Sequence, residues 1–166
     1  MYSRFFTIVQ ILSLTALIAA CSSTPKTEEP KTESRGLGSG MVIEASNAQL
    51  AKVPVVGFPP YTASMPIKQF DQYGENAATA AKAVIASLPE GYKLQITGHA
   101  NANSGRSAAW VKNLSTQRAK FVQSYFVKKG LDGSKMVVNG AGDTEQDPGL
   151  SKEQNRRVTF KLVELK

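Results

Sequence analysis

The sequence predicts an α+β domain, a two-layer sandwich in which two helices cover one face of a mixed four-stranded sheet. Three observations predict it. Short stretches alternate apolar and polar residues with the period of a half-buried strand. Two longer stretches repeat apolar residues every three or four positions, the period of a helix with one buried face. The two kinds interleave along the chain as strand, helix, strand, helix, strand, strand. Crossovers of this type favour parallel pairing, and the last two strands are expected to pair antiparallel. At 166 residues the chain has room for one domain with tails.

Each element follows from local chemistry. "VPVVGF" (53–58) is strand-like, with Pro54 confining it to an edge or an end. "FPPYTASMPIK" carries three prolines and is expected to be irregular. From about Asp71 to Leu88, the residues Ala77, Ala81, Val84, Ile85 and Leu88 mark one helical face, and Pro89 and Gly91 stop the helix. Tyr92, Leu94 and Ile96 then alternate with Lys93, Gln95 and Thr97 in a strand. A second helix is expected to be capped by Ser115, to bury Ala119, Val122 and Phe126 with Tyr125 beside them, and to close on Lys128, Lys129 and Gly130. "KMVVNGAG" is a short strand, and Val158, Phe160 and Leu162 alternate with Thr159, Lys161 and Val163 in the last one.

Residues 1–20 have Arg4 near the start, an apolar run broken by Thr and Ser, and small residues at the end. They have the form of a secretory signal, too short and too polar to span a bilayer comfortably. Leu17, Ile18, Ala19, Ala20 and Cys21 resemble the lipobox of bacterial lipoproteins, which implies diacylation of the Cys21 sulfur and membrane attachment through that lipid. Cys21 is the single cysteine, so no internal disulfide competes for it. Ser22 and Ser23 stand where that family places an Asp for inner-membrane retention, so the resemblance implies the outer membrane. Residues 21–40 hold one apolar side chain after the cysteine, Leu37, and are expected to form a disordered tether. Residues 41–64 are a lead-in segment, and 65–166 the folded domain.

Removing residues 1–20 takes away one Arg and no acid, so the formal charge falls from +7 to +6. A basic, exported chain points to anionic lipid or a carboxylate-bearing polymer, and nucleic acid is not expected as a partner. Few residues can do chemistry. One His and one lipidated Cys rule out the usual zinc sites and any cysteine–histidine pair. No nucleophile elbow accompanies His99. Asp132, Asp143, Glu145 and Asp147 read as turn and surface residues rather than a glycosidase pair. No enzyme activity, metal or cofactor is expected.

Four motifs in order carry a family resemblance: "GH" at 98–99 ending a strand, "LSTQRA" at 114–119, "GAG" at 140–142, and "NRRV" at 155–158 opening the last strand. They resemble the OmpA C-terminal domain, the β-α-β-α-β-β fold shared with peptidoglycan-associated lipoproteins and flagellar stator proteins. The resemblance covers roughly residues 65–166. It implies non-covalent binding of peptidoglycan through the diamino acid of the stem peptide. In the family an Asp after the "GH" strand accepts from the ammonium and the Arg of the helix motif takes the carboxylate. Arg118 matches that arginine, with Arg156 and Arg157 matching the pair that shapes the floor of the site. Placed at the start of a helix, Arg118 would add a guanidinium fork to an anion-favouring terminus.

The acid is missing. Ala100 and Asn101 stand at the family's "TD", and a two-residue shift makes Asn103 the candidate instead. No Asp or Glu occurs between Glu90 and Asp132. An amide accepts a hydrogen bond from an ammonium without neutralising it. The candidate ligand-binding residues are therefore Arg118, Asn101, Asn103, Arg156 and Arg157, with Cys21 for lipidation. His99 is read as structural. The first reading is an outer-membrane lipoprotein, its head in the periplasm, that links the membrane to the cell wall. The alternative is the same fold with the peptidoglycan pocket lost, meeting another envelope protein or an external surface through Arg106, Lys112, Lys120 and Lys128.

Overall fold

Strand β1 (Tyr92–His99) is the middle of the sheet in the computed structural model, which describes residues 34–101 and 105–165. Residues 1–20, Cys21, most of the expected tether and Asn103 lie outside the described residues. β2 (Met136–Gly142) runs parallel to β1 on one side and β3 (Val158–Glu164) antiparallel on the other. The parallel crossover is the expected one. The antiparallel pairing of the last two strands is not found, because each flanks β1 rather than the other. Register alternates as the sequence pattern requires. Leu94 faces Leu162 and Met136, and Ile96 faces Phe160 and Val138, all turned to the helical side. Gln95, Val137 and Lys161 share the opposite, more open face.

The sheet has three strands among the described residues, not the expected four. "VPVVGF" contributes one antiparallel bridge, Val55 to Val158, with both amides donating across it at 3.0 and 2.8 Å. The cause lies at the two ends of the segment. The Val53 amide donates to Leu50 O at 3.3 Å and closes the preceding helix instead of meeting β3. Gly57, at φ +83°, turns the chain away, a conformation a side chain would resist.

Among the described residues three longer helices pack on this sheet. α1 (Ser34–Leu50) takes in residues 34–40, which the sequence assigns to the tether. It buries Leu50, and Asn47 Oδ1 accepts from the Leu162 amide at 2.7 Å on the outer edge of β3. α2 (Ile67–Ala86) begins four residues before the expected Asp71, at Pro66, whose carbonyl accepts from Gln69 and Phe70. It buries Ala77, Ala81, Val84 and Ile85 as the spacing predicts. α3 (Ala108–Lys128) begins seven residues before Ser115. Its cap is Ser107, whose Oγ accepts from the Trp110 amide at 3.3 Å. A short helix α4 (Lys152–Asn155) with a Ser151–Gln154 capping box precedes β3. Leu50, Val55 and Phe58 from the lead-in, and Met65 just after it, are buried in the same core as Ile96, Phe126 and Phe160.

Two motifs from the sequence owe their residues to how closely α3 sits on the sheet. A Cβ on Gly98 would lie 1.9 Å from the Ser115 carbonyl oxygen, and one on Gly140 would lie 2.1 Å from Thr116 Oγ1. Ser115 is fully buried in mid-helix; its Oγ donates to Lys112 O at 2.7 Å and accepts from the Gly142 amide at 2.9 Å. The glycines admit the helix, and the serine ties it to the end of β2.

Candidate functional site

Arg118 organises the site. The corrected start of α3 moves it from a helix entrance to mid-helix, where no free amides lie beside it. It is 0% exposed, the largest fully buried side chain of the described residues. Its Nε donates to Thr62 O at 2.9 Å, Nη1 to His99 O at 3.0 Å and Nη2 to Pro59 O at 2.9 Å. The guanidinium lies 5.3 Å from the centre of the Phe58 ring. Burial, with Arg156 nearby, lowers its pKa to about 10, so it stays charged at neutral pH. A guanidinium carries five N–H donors, so three carbonyls leave two without an acceptor among the described residues.

Arg156 works from the other side of the same turn. Its Nε donates to Phe58 O at 2.6 Å and Nη1 to Lys152 O at 3.2 Å, and Nη2 lies 3.6 Å from the Glu153 carboxylate. Together the two arginines hold the carbonyls of Phe58, Pro59 and Thr62. Wrapped this tightly, the turn puts Tyr61 at φ +61°, a backbone conformation that costs an aromatic residue on the order of 1 kcal/mol. The Tyr61 side chain is turned outward, 57% exposed, with its ring 6.2 Å from that of Trp110. Arg106 stacks on the Trp110 ring at 5.3 Å.

These residues enclose an open cleft of about 200 Å³. Arg118, Arg156 and Lys152 supply positive charge, Asn101 a neutral amide, and Pro60, Tyr61, Trp110 and Leu114 the apolar walls. Among the described residues no carboxylate lines it. The structure thus brings Arg118, Asn101 and Arg156 of the sequence-derived candidates to one place. Arg157 is elsewhere, donating to Asn155 Oδ1 at 2.6 Å and Glu145 O at 3.2 Å, where it holds the β2–β3 connection. Sequence reasoning missed Tyr61, Trp110 and Lys152. The signals available were the chain's single tryptophan four residues before "LSTQRA" and the Pro-Pro-Tyr run in a segment read as irregular.

His99 is 1% exposed; its Nε2 lies 2.8 Å from Thr159 Oγ1, and its carbonyl receives Arg118. Burial, and then the charge of Arg157, pushes its pKa down to about 4, so the ring is neutral at pH 7. Nδ1 has no hydrogen-bond partner among the described residues, with the Glu145 carboxylate 3.8 Å away. Among the described residues no group of three or more His, Cys, Asp or Glu is placed to hold a metal ion.

The OmpA family model matches residues 68–159, more than half of the chain. The chain belongs to the OmpA family. No curated protein matches the sequence. Solved OmpA-like structures agree on the fold. The peptidoglycan-associated lipoprotein from Burkholderia pseudomallei is similar at TM-score 0.53 and 21% identity, covering 74% of this chain and 99% of that one. The OmpA-like domain of FopA1 from Francisella tularensis is similar at TM-score 0.52 and 22% identity, over 67% and 71%. The periplasmic domain of Helicobacter pylori MotB reaches TM-score 0.51 at 16% identity, over 66% and 77%. As an OmpA-family domain the chain keeps the arginine of the helix motif buried under the cleft, with two aromatic residues at the rim.

Proposed function

We propose that this OmpA-family domain binds peptidoglycan non-covalently, gripping a carboxylate of the stem peptide, and that a lipid on Cys21 fastens it to the outer membrane. The observation that carries the binding is the cleft itself, lined by Arg118, Lys152 and Arg156 and by no carboxylate of the described residues. Two cations at the cleft and a third buried beneath it attract an anion more strongly than an isolated surface lysine does, because the apolar walls lower the local dielectric. The exposed Lys152 ammonium and the Arg156 guanidinium suit a carboxylate, and Arg118, buried beneath them, adds its positive charge from below. The kinship with a peptidoglycan-associated lipoprotein supports the polymer as the source of that carboxylate. In the described residues no helix is long and apolar enough to cross a membrane.

One observation favours the rival reading of an interaction module without peptidoglycan affinity: Arg118 is engaged by three carbonyls and would be needed for folding alone. Against it, Lys112, Lys120 and Lys128 do not share one face. Steps of eight residues turn about 80° each around a helix.

The test is co-sedimentation with purified sacculi. Arg118→Ala is the wrong probe, since it would strip three carbonyls of their partner and unfold the chain. Lys152 is exposed and its side chain holds no other group in the described residues. The wild-type chain should pellet with sacculi, and Lys152→Glu should weaken retention about tenfold, a loss of about 1.4 kcal/mol. Equal retention of wild type and variant would move the binding site away from this cleft, and no retention of the wild type would leave the interaction module.

A further inference from the structure

The polar lining of the cleft is one-sided. Among the described residues Lys152, Arg156 and the buried Arg118 are cationic and Asn101 is neutral. Glu153, the acid in contact with Arg156 at 3.6 Å, does not line the cleft. A diamino acid with its side amine free carries an ammonium a few ångströms from its carboxylate. Seating that carboxylate on Lys152 and Arg156, above the buried Arg118, would bring the ammonium into a field of like charge with no acid lining the cleft among the described residues. The same residue with its amine acylated keeps the carboxylate and loses the repelled charge. Its methylene chain and uncharged amide suit the apolar wall of Tyr61, Trp110, Leu114 and Pro60, and an Asn side chain both donates to and accepts from an amide.

We propose that the cleft selects stem peptides whose diamino acid is already acylated on its side amine, as it is in a cross-link, over stem peptides with that amine free. This rests on the peptidoglycan reading above and goes beyond it by naming the chemical form bound. The domain would accordingly read mature, cross-linked wall rather than un-cross-linked stems.

The experiment uses the full chain and two synthetic tripeptides ending in the diamino acid, one with the side amine free and one with it acetylated. Trp110, the single tryptophan of the sequence and part of the cleft wall, reports binding by its fluorescence. The acetylated peptide should bind about tenfold tighter, the effect of one uncompensated like charge. Asn101→Asp should narrow or reverse that ratio by supplying the missing acid. Equal or tighter binding of the free-amine peptide by the wild type, with sacculi still retained, overturns this inference alone. A ratio unmoved by Asn101→Asp also overturns it. If neither peptide binds and sacculi are not retained, the peptidoglycan reading falls with it.

Discussion

His99 shows what burial does to a residue that sequence alone leaves ambiguous. A lone histidine after a strand could be a ligand or a turn residue. Here its carbonyl serves Arg118 and its Nε2 meets Thr159, so backbone and ring both hold structure. The burial and the Arg157 charge that lower its pKa to about 4 set a direction for pH. The unfolded ring titrates near 6.5 and the folded one near 4, so protons favour the unfolded chain. The contribution is complete above about pH 6.5 and is lost as pH falls toward 4, at up to about 1.4 kcal/mol per pH unit. Urea unfolding at about pH 7 and about pH 5.5 should show a loss of about 1 kcal/mol in the wild type that is absent in His99→Gln. Equal losses in both would assign the acid sensitivity to other groups. The partners that decide this residue, Thr159 and Arg157, lie about sixty positions away. No local pattern around 96–105 reports them.

At the scale of elements, the readable signals were those with a local cause. The periods of β1 and β3 and the buried stripes of α2 and α3 come from side chains a few residues apart, and the structure follows them. Ser115 misled because its burial under Gly142 is a contact across 27 residues, while Ser107, the true cap, precedes a stretch with little helical signature. The fourth strand failed for a similar reason, its first amide being claimed by the end of α1. Gly98 is the sharpest element-level case, since the "GH" glycine is required by the backbone of α3 rather than by a turn of its own. Gly98→Ala would set a Cβ 1.9 Å from the Ser115 carbonyl oxygen, and neither strand nor helix can shift without breaking the sheet register. Its unfolding free energy should fall by about 3 kcal/mol or more. Gly38→Ala, in α1 with open space around it, should instead gain about 0.5–1 kcal/mol from helix propensity. Indistinguishable urea midpoints for the two variants would mean that α3 does not rest on β1 as described.

For the whole molecule, the lead-in is what joins fold to cleft. Residues 47–62 supply the Asn47 cap on Leu162, the Val55 bridge, the buried Phe58, the carbonyls that hold both arginines, and the Tyr61 wall. The same segment therefore closes the open edge of β3 and shapes the ligand site, so stability and binding should fail together. A chain shortened to begin at Gly57 would keep Phe58 through Thr62 but lose α1 and the Val55 bridge. The outer edge of β3 would then present unpaired amides, a template for pairing with another copy. The shortened chain should show a lower urea midpoint and concentration-dependent association in sedimentation velocity. Its retention on sacculi should also drop at concentrations where it is still monomeric, because the turn that carries Pro60 and Tyr61 has lost its tether to the sheet. Normal retention by a monomeric shortened chain would show instead that Arg118 and Arg156 hold the turn unaided, and that α1 and the bridge serve the edge alone.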